Sequence, residues 1–194
     1  MRAHTLRREQ VVQAPIDDVF AFFSVARNLE LLTPAWLRFT VITPEPIVMR
    51  AGTLIDYRLR LHGAPLRWRS LIDVWEPGRA FVDVQLHGPY ALWHHRHDFA
   101  PAGPSGEWTK VTDTVHYRLP LGPVSVPTLP LVKLNLRQIF DHRRRVVERL
   151  AAAGELAAGA ERATAGERAA DGEYATAVEQ RHSARPSGGD SERA

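Results

Sequence analysis

The chain has 194 residues, 44% of them hydrophobic, which suits one domain with a real core, and it carries a formal charge of +3. Cysteine is absent, so disulfides, thiolate metal sites, iron–sulfur ligation and a cysteine nucleophile are excluded. The opening MRAHTLRREQVVQAP has no apolar signal-peptide core, and no run approaches the roughly 20 apolar residues of a membrane span; a cytoplasmic protein with no integral membrane segment is expected.

The first strand is expected in HTLRREQVVQ (4–13), followed by two short helices. In APIDDVFAFFS (14–24), Pro15 suits a first helical turn, Asp17 and Asp18 sit near the positive helix end, and Val19, Phe20, Phe22 and Phe23 supply a core face. VARNLELLTP (25–34) stops at Pro34. RFTVITPEP (38–46) reads as a strand. TLIDYRLRLHG (53–63) alternates, with Ile55, Tyr57, Leu59 and Leu61 on one face and Asp56, Arg58 and Arg60 on the other. PLRWRSLIDVWEPG (65–78) sets Leu66, Trp68, Ile72 and Val74 opposite Arg67, Arg69 and Asp73. AFVDVQLHG (80–88) and ALWHHRHDF (91–99) form a hairpin around Gly88–Pro89, and EWTKVTDTVHYRLP (107–120) is a further strand.

Val132, Leu136, Ile139, Phe140, Val146, Val147 and Leu150 then recur at helical spacing, predicting a long amphipathic helix over 131–153. Arg143 falls on its apolar stripe, where the stem packs and the head seeks a polar group. The last 44 residues hold almost no large apolar side chain, so residues 1–153 are the expected domain and 154–194 a disordered Ala/Gly/Glu/Arg-rich tail. From residue 151 onward six Glu and two Asp face five Arg, a net −3, which leaves +6 on residues 1–150. Those arginines alternate along strands and form no compact stripe, so nucleic acid is not an expected partner.

This order of elements implies an α+β fold in which a curved antiparallel sheet of about seven strands wraps the C-terminal helix. The opening VVQAPIDDVFAFFSVARNLELLTP, with AGTLIDYRLRLHGAPLRWRS, DVWEPGRAFVDVQLHGPYALWHHRHDF and VTDTVHYRLPLGP, resembles the START-like superfamily, also called SRPBCC or Bet v 1-like helix-grip proteins. More narrowly it looks like an uncharacterised bacterial ligand-binding SRPBCC group, and the likeness covers about residues 5–150. It implies a hydrophobic cavity between sheet and helix, in a superfamily that carries lipids, quinones, hormones or polyketides and includes aromatases and cyclases. It implies no metal and no cofactor.

HGPYALWHHRHDFAP (87–101) places three histidines within four positions. Alternation puts Trp93, His95, His97 and Phe99 on one face, towards the cavity, and His94 on the other beside Arg96. Two imidazoles at i and i+2 can share an ion, but a third ligand would have to come from His116, Asp83 or Asp113, and the spacing forces none; no metal is expected. The hairpin at 86–91 has two registers. One pairs Val82 with His95 and keeps the valines in the core; the other brings Asp83 and Gln85 inside with His95 and His97. The first is the expected one.

The expected function is binding of a small hydrophobic or amphipathic ligand, lipid-, quinone- or polyketide-like. Its walls are Tyr57, Trp68, Trp93, Phe99, Tyr117, Leu136, Ile139 and Phe140, and its polar contacts His95 and His97. The alternative is a polyketide-type aromatase/cyclase or dehydratase with His95 or His97 as general acid/base, and Tyr57, Tyr117 and Arg69 orienting a ketone. A third reading makes the chain an interaction protein that recruits a partner through its tail. Oligomeric state is left open.

Overall fold

The computed structural model describes residues 3–120 and 127–157. Seven strands form one sheet: β1 (His4–Val12), β2 (Thr40–Val41), β3 (Leu54–Leu61), β4 (Ala64–Glu76), β5 (Ala80–His87), β6 (Leu92–Ala102) and β7 (Trp108–Arg118). They lie in the order β1-β7-β6-β5-β4-β3-β2, and every neighbouring pair is antiparallel. Between β1 and β2 come α1 (Ile16–Ser24), α2 (Asn28–Leu31) and a 3-10 turn, Ala35–Leu37. The chain closes with α3 (Leu129–Ala152), whose first turn contains Pro130, where a missing N–H costs nothing.

The alternation in β3 does what its pattern dictates. Ile55, Tyr57 and Leu59 are buried, while Arg58 and Arg60 are exposed. The turn to β4 is the two-residue His62–Gly63, both at positive φ (50° and 86°), the twist a tight hairpin needs. β4 then changes phase. Its pairing with β5 shifts between Ile72 and Val74, so Ile72 and Trp75 both face inward, and Trp75 packs on Phe20 and Phe81. Val74, expected inside, instead pairs with Val82, which is buried but lies apart from the three apolar groups described next. The strand expected over 38–46 reduces to the two residues of β2.

Three apolar groups pack on the inner side of the sheet. One, centred on Phe20, Phe22, Phe81, Phe99 and Val147, closes the end beneath the C-terminal half of α3. A second gathers Ile55, Tyr57 and Ile72 with Val41 and Met49. The third joins Val115 and Tyr117 to Leu136 and Phe140. Each fully buried aromatic or aliphatic side chain here contributes about 1.5–3 kcal/mol.

The domain does not stop at residue 153. Gly154 takes φ 69° and turns the chain back, and Leu156, 1% exposed, packs into the first group. Leu156 of the expected tail is therefore part of the core, and 158–194 lie outside the described residues.

Candidate functional site

A cavity of about 210 Å³ lies between α3 and the concave face of the sheet. Members of all three apolar groups wall it, with Phe23, Tyr57, Trp68, Trp93, Leu136 and Phe140 among them. Most of this wall is hydrocarbon. The exception is a charged patch on the β5–β6 side and on α3, where Asp83, His95, His97 and Arg143 reach the same space.

The register of the β5–β6 hairpin builds that patch. Asp83 pairs with His95 and Phe81 with His97, one residue away from the expected register. Val82 faces Arg96 instead, and the carboxylate, not the valine, points inward. The cause lies in the loop. Gln85 donates from Nε2 to the Tyr90 carbonyl at 2.7 Å and accepts from the Tyr90 N–H at 3.3 Å, so its side chain replaces the closing pair of the ladder. Gly88 makes room for it, since a Cβ there would collide with the Gln85 side-chain amide.

Asp83 Oδ2 lies 3.3 Å from His95 Nδ1 and 3.4 Å from His97 Nε2. On the other side of the rings, Asp113 Oδ1 lies 3.0 Å from His95 Nε2 and 2.8 Å from His97 Nδ1. The first of these is a hydrogen bond; the second is a close contact that leaves His97 Nδ1 without one. The two imidazoles lie close together, ring centres 3.8 Å apart and planes tilted by 41°, and His97 stacks on Phe81 at 4.1 Å. From α3, Arg143 Nη1 donates to the same Asp113 oxygen at 3.2 Å, its guanidinium held between the rings of Phe23 and Phe140. Tyr57 and Ser70 continue the polar lining, and Trp68 Nε1 donates to Ser70 Oγ at 3.0 Å.

The electrostatics of this group follow from burial against pairing. Burial by itself raises Asp83, yet His95 and then His97 outweigh it and hold the carboxyl far below the usual range. Asp113 is likewise depressed, with Arg143 and both imidazoles overcoming its burial. Burial works against the His95 imidazolium, but Asp83 and Asp113 prevail and raise its pKa. The Tyr57 hydroxyl is pushed upward by burial and stays protonated.

Of the residues expected to wall the site, Tyr57, Trp68, Trp93, His95, His97, Leu136, Ile139 and Phe140 line the cavity. Phe99 and Tyr117 do not. Phe99 is enclosed by Phe20, Phe23 and Phe81, and Tyr117 packs against Tyr90 and His4 behind the wall. Arg69 is on the outer face, paired with Asp56, and cannot orient anything inside. His94 also faces outward, its ring 6.1 Å from that of His116. Asp113 was legible as an inward residue, since it shares the phase of Val111, Val115 and Tyr117 on β7. Asp83 was not, because its face depends on the register.

No family model matches this sequence, and no curated protein matches it. Solved structures do. A Streptomyces aromatase/cyclase, Zhui, superposes with a TM-score of 0.61 at 13% identity, over 77% of this chain and 94% of that one. A Thermus thermophilus protein gives 0.58 at 20% identity, over 78% and 99%. A START superfamily protein from Mycobacterium smegmatis gives 0.53 at 15%, over 75% and 94%. This chain has the START-like helix-grip fold. In helix-grip terms, α3 is the gripped helix, the concave sheet face is the grip, and the charged patch interrupts a mostly apolar pocket. No helix among the described residues is long and apolar enough to cross a membrane.

Proposed function

We propose that the protein binds a small, largely apolar ligand bearing one polar group, seated between α3 and the sheet. The observation that carries this reading is the cavity of about 210 Å³, whose walls are mostly hydrocarbon and carry one cluster of charges. Apolar walls supply affinity without direction, and a few converging polar groups fix orientation. The volume falls below the roughly 300–1,000 Å³ common for drug-sized ligands, so a compact guest of one or two rings, or a short acyl chain, fits it best. Its polar end belongs beside Asp83 and His95, because elsewhere it would lose hydrogen bonds to water without replacement.

Native mass spectrometry of the purified protein, together with titration by a fluorescent aromatic probe, tests the proposal. Saturable binding at one site per chain is expected in the wild type. Ile139→Trp, which pushes an indole into the cavity from α3, is expected to abolish it. Binding that survives this substitution places the probe elsewhere and defeats the reading.

The imidazole–carboxylate cluster favours a second reading, a cyclase or dehydratase in which His95 or His97 moves a proton. A buried imidazole oriented by a carboxylate and facing a water-poor cavity is suited to general acid/base work. Turnover of a poly-keto surrogate by the wild type, lost in both His95→Ala and His97→Ala, is the required result. Unchanged turnover in the double variant removes this second reading.

A further inference from the structure

The geometry points to a divalent transition-metal site on the cavity wall, with Asp83 Oδ2, His95 Nδ1 and His97 Nε2 as its protein ligands. These donor atoms come from two adjacent strands and lie within 4.8 Å of one another. The carboxylate oxygen stands 3.3 and 3.4 Å from the two ring nitrogens. Those separations are long for N–H···O bonds, which centre near 2.9–3.0 Å. They match the edge of a coordination tetrahedron: with metal–ligand bonds of about 2.0–2.1 Å, neighbouring ligand atoms sit about 3.4 Å apart.

The surroundings carry the argument further than the three donors. Asp113 lies behind the rings, away from the cavity, and a single one of its oxygens meets the opposite nitrogen of each imidazole, at 3.0 and 2.8 Å. A carboxylate that fixes the far nitrogen of a ligating histidine is the usual outer partner at protein metal centres, where it sets tautomer and ring orientation. Arg143 holds that carboxylate from α3. The ligand side faces the other way: Asp83, His95 and His97 line the cavity, and Asp83 is the most open of the group at 19% side-chain exposure. One face of the ion is therefore left to the cavity.

Two imidazoles and one carboxylate form the donor set used by zinc with an open position and by non-haem iron(II). Calcium and magnesium prefer all-oxygen cages and do not suit it. The ligand class that follows is a small molecule with an enolate, carboxylate or hydroxamate oxygen able to reach the ion while its apolar body fills the pocket. The inference stands whether or not the cavity takes an organic guest by contacts with its walls alone.

The experiment is a titration of chelator-treated, tag-free, full-length protein with Co²⁺, read by visible d–d absorption, followed by displacement with Zn²⁺ and, anaerobically, with Fe²⁺. One equivalent per chain is expected, and the order of displacement identifies the preferred ion. Asp83→Asn and His97→Ala are expected to weaken binding by at least about 100-fold. Asp113→Asn, which leaves all three ligands in place, is expected to weaken it by about 10–100-fold. His94→Ala with His116→Ala, on the outer face, is expected to change nothing. X-ray absorption of the Zn²⁺-loaded wild type needs no variant and is expected to show two imidazoles. Absence of Co²⁺ absorption overturns the site, as do wild-type affinity in Asp83→Asn, loss only in the outer-face variant, or fewer than two imidazoles on zinc.

Discussion

On the outer face of the sheet, Arg69 donates two hydrogen bonds to Asp56, at 2.7 and 2.8 Å, and both side chains remain in contact with water. On the inner face, Arg143 donates one, at 3.2 Å, to Asp113, and both are buried. By distance and geometry the outer pair is the better ion pair. By consequence it is the lesser one, because water solvates either outer partner left alone, whereas nothing inside replaces a lost neighbour. A charged pair matters here according to what surrounds it, and the site has been assembled where the surroundings are least forgiving.

The largest effect expected from this contrast is at Asp113. Asp113→Ala strands Arg143 among Phe23 and Phe140 and removes the anion that holds both imidazoles. A loss of about 3–5 kcal/mol in urea unfolding is expected. A loss below about 1 kcal/mol would erase the distinction between the two faces.

Removing the inner pair together separates the value of the pair from the penalty of breaking it. Arg143→Met combined with Asp113→Leu is expected to cost clearly less than the sum of the single changes, with a coupling of about 0.5–3 kcal/mol in a double-mutant cycle. Additive losses would mean that the two side chains act independently.

A smaller effect is expected at the loop that decides which face Asp83 occupies. Gln85→Ala removes the two hydrogen bonds to Tyr90 and is expected to cost about 1 kcal/mol. Slow exchange of the His95 and His97 imidazole resonances, measured by NMR, would reveal slippage towards the alternative register.

The least effect is expected at Arg69→Ala, which leaves Asp56 hydrated at the surface; its thermal midpoint should match the wild type. Any residual difference should vanish in about 1 M salt, where the screening length falls to about 3 Å, while the Asp113→Ala loss persists. An Arg69 effect as large as that of Asp113 would refute the comparison outright.

Most of the scaffold was legible from the residues alone. Period-two alternation in β3 identified its buried face, helical spacing from Val132 to Leu150 placed α3 to within two residues at its start and one at its end, and the order of elements implied the wrapped sheet. Inward placement of His95 and His97 came from the same alternation. These are local properties: a side chain two or four positions away along a strand shares a face whatever the rest of the molecule does.

What the tertiary structure alone decided was everything that depends on one strand's offset against another. Asp83 faces the cavity because Gln85 closes the hairpin with its side chain. Val74 gives way to Trp75 because β4 carries a bulge. Phe99 and Tyr117 share the correct face yet miss the cavity, since neighbouring rings reach them first. Leu156 belongs to the core because Gly154 turns the chain back. A one-residue slip between strands inverts every side chain while barely altering local propensity, so pairing energy and loop contacts, summed over the whole sheet, determine which charges meet.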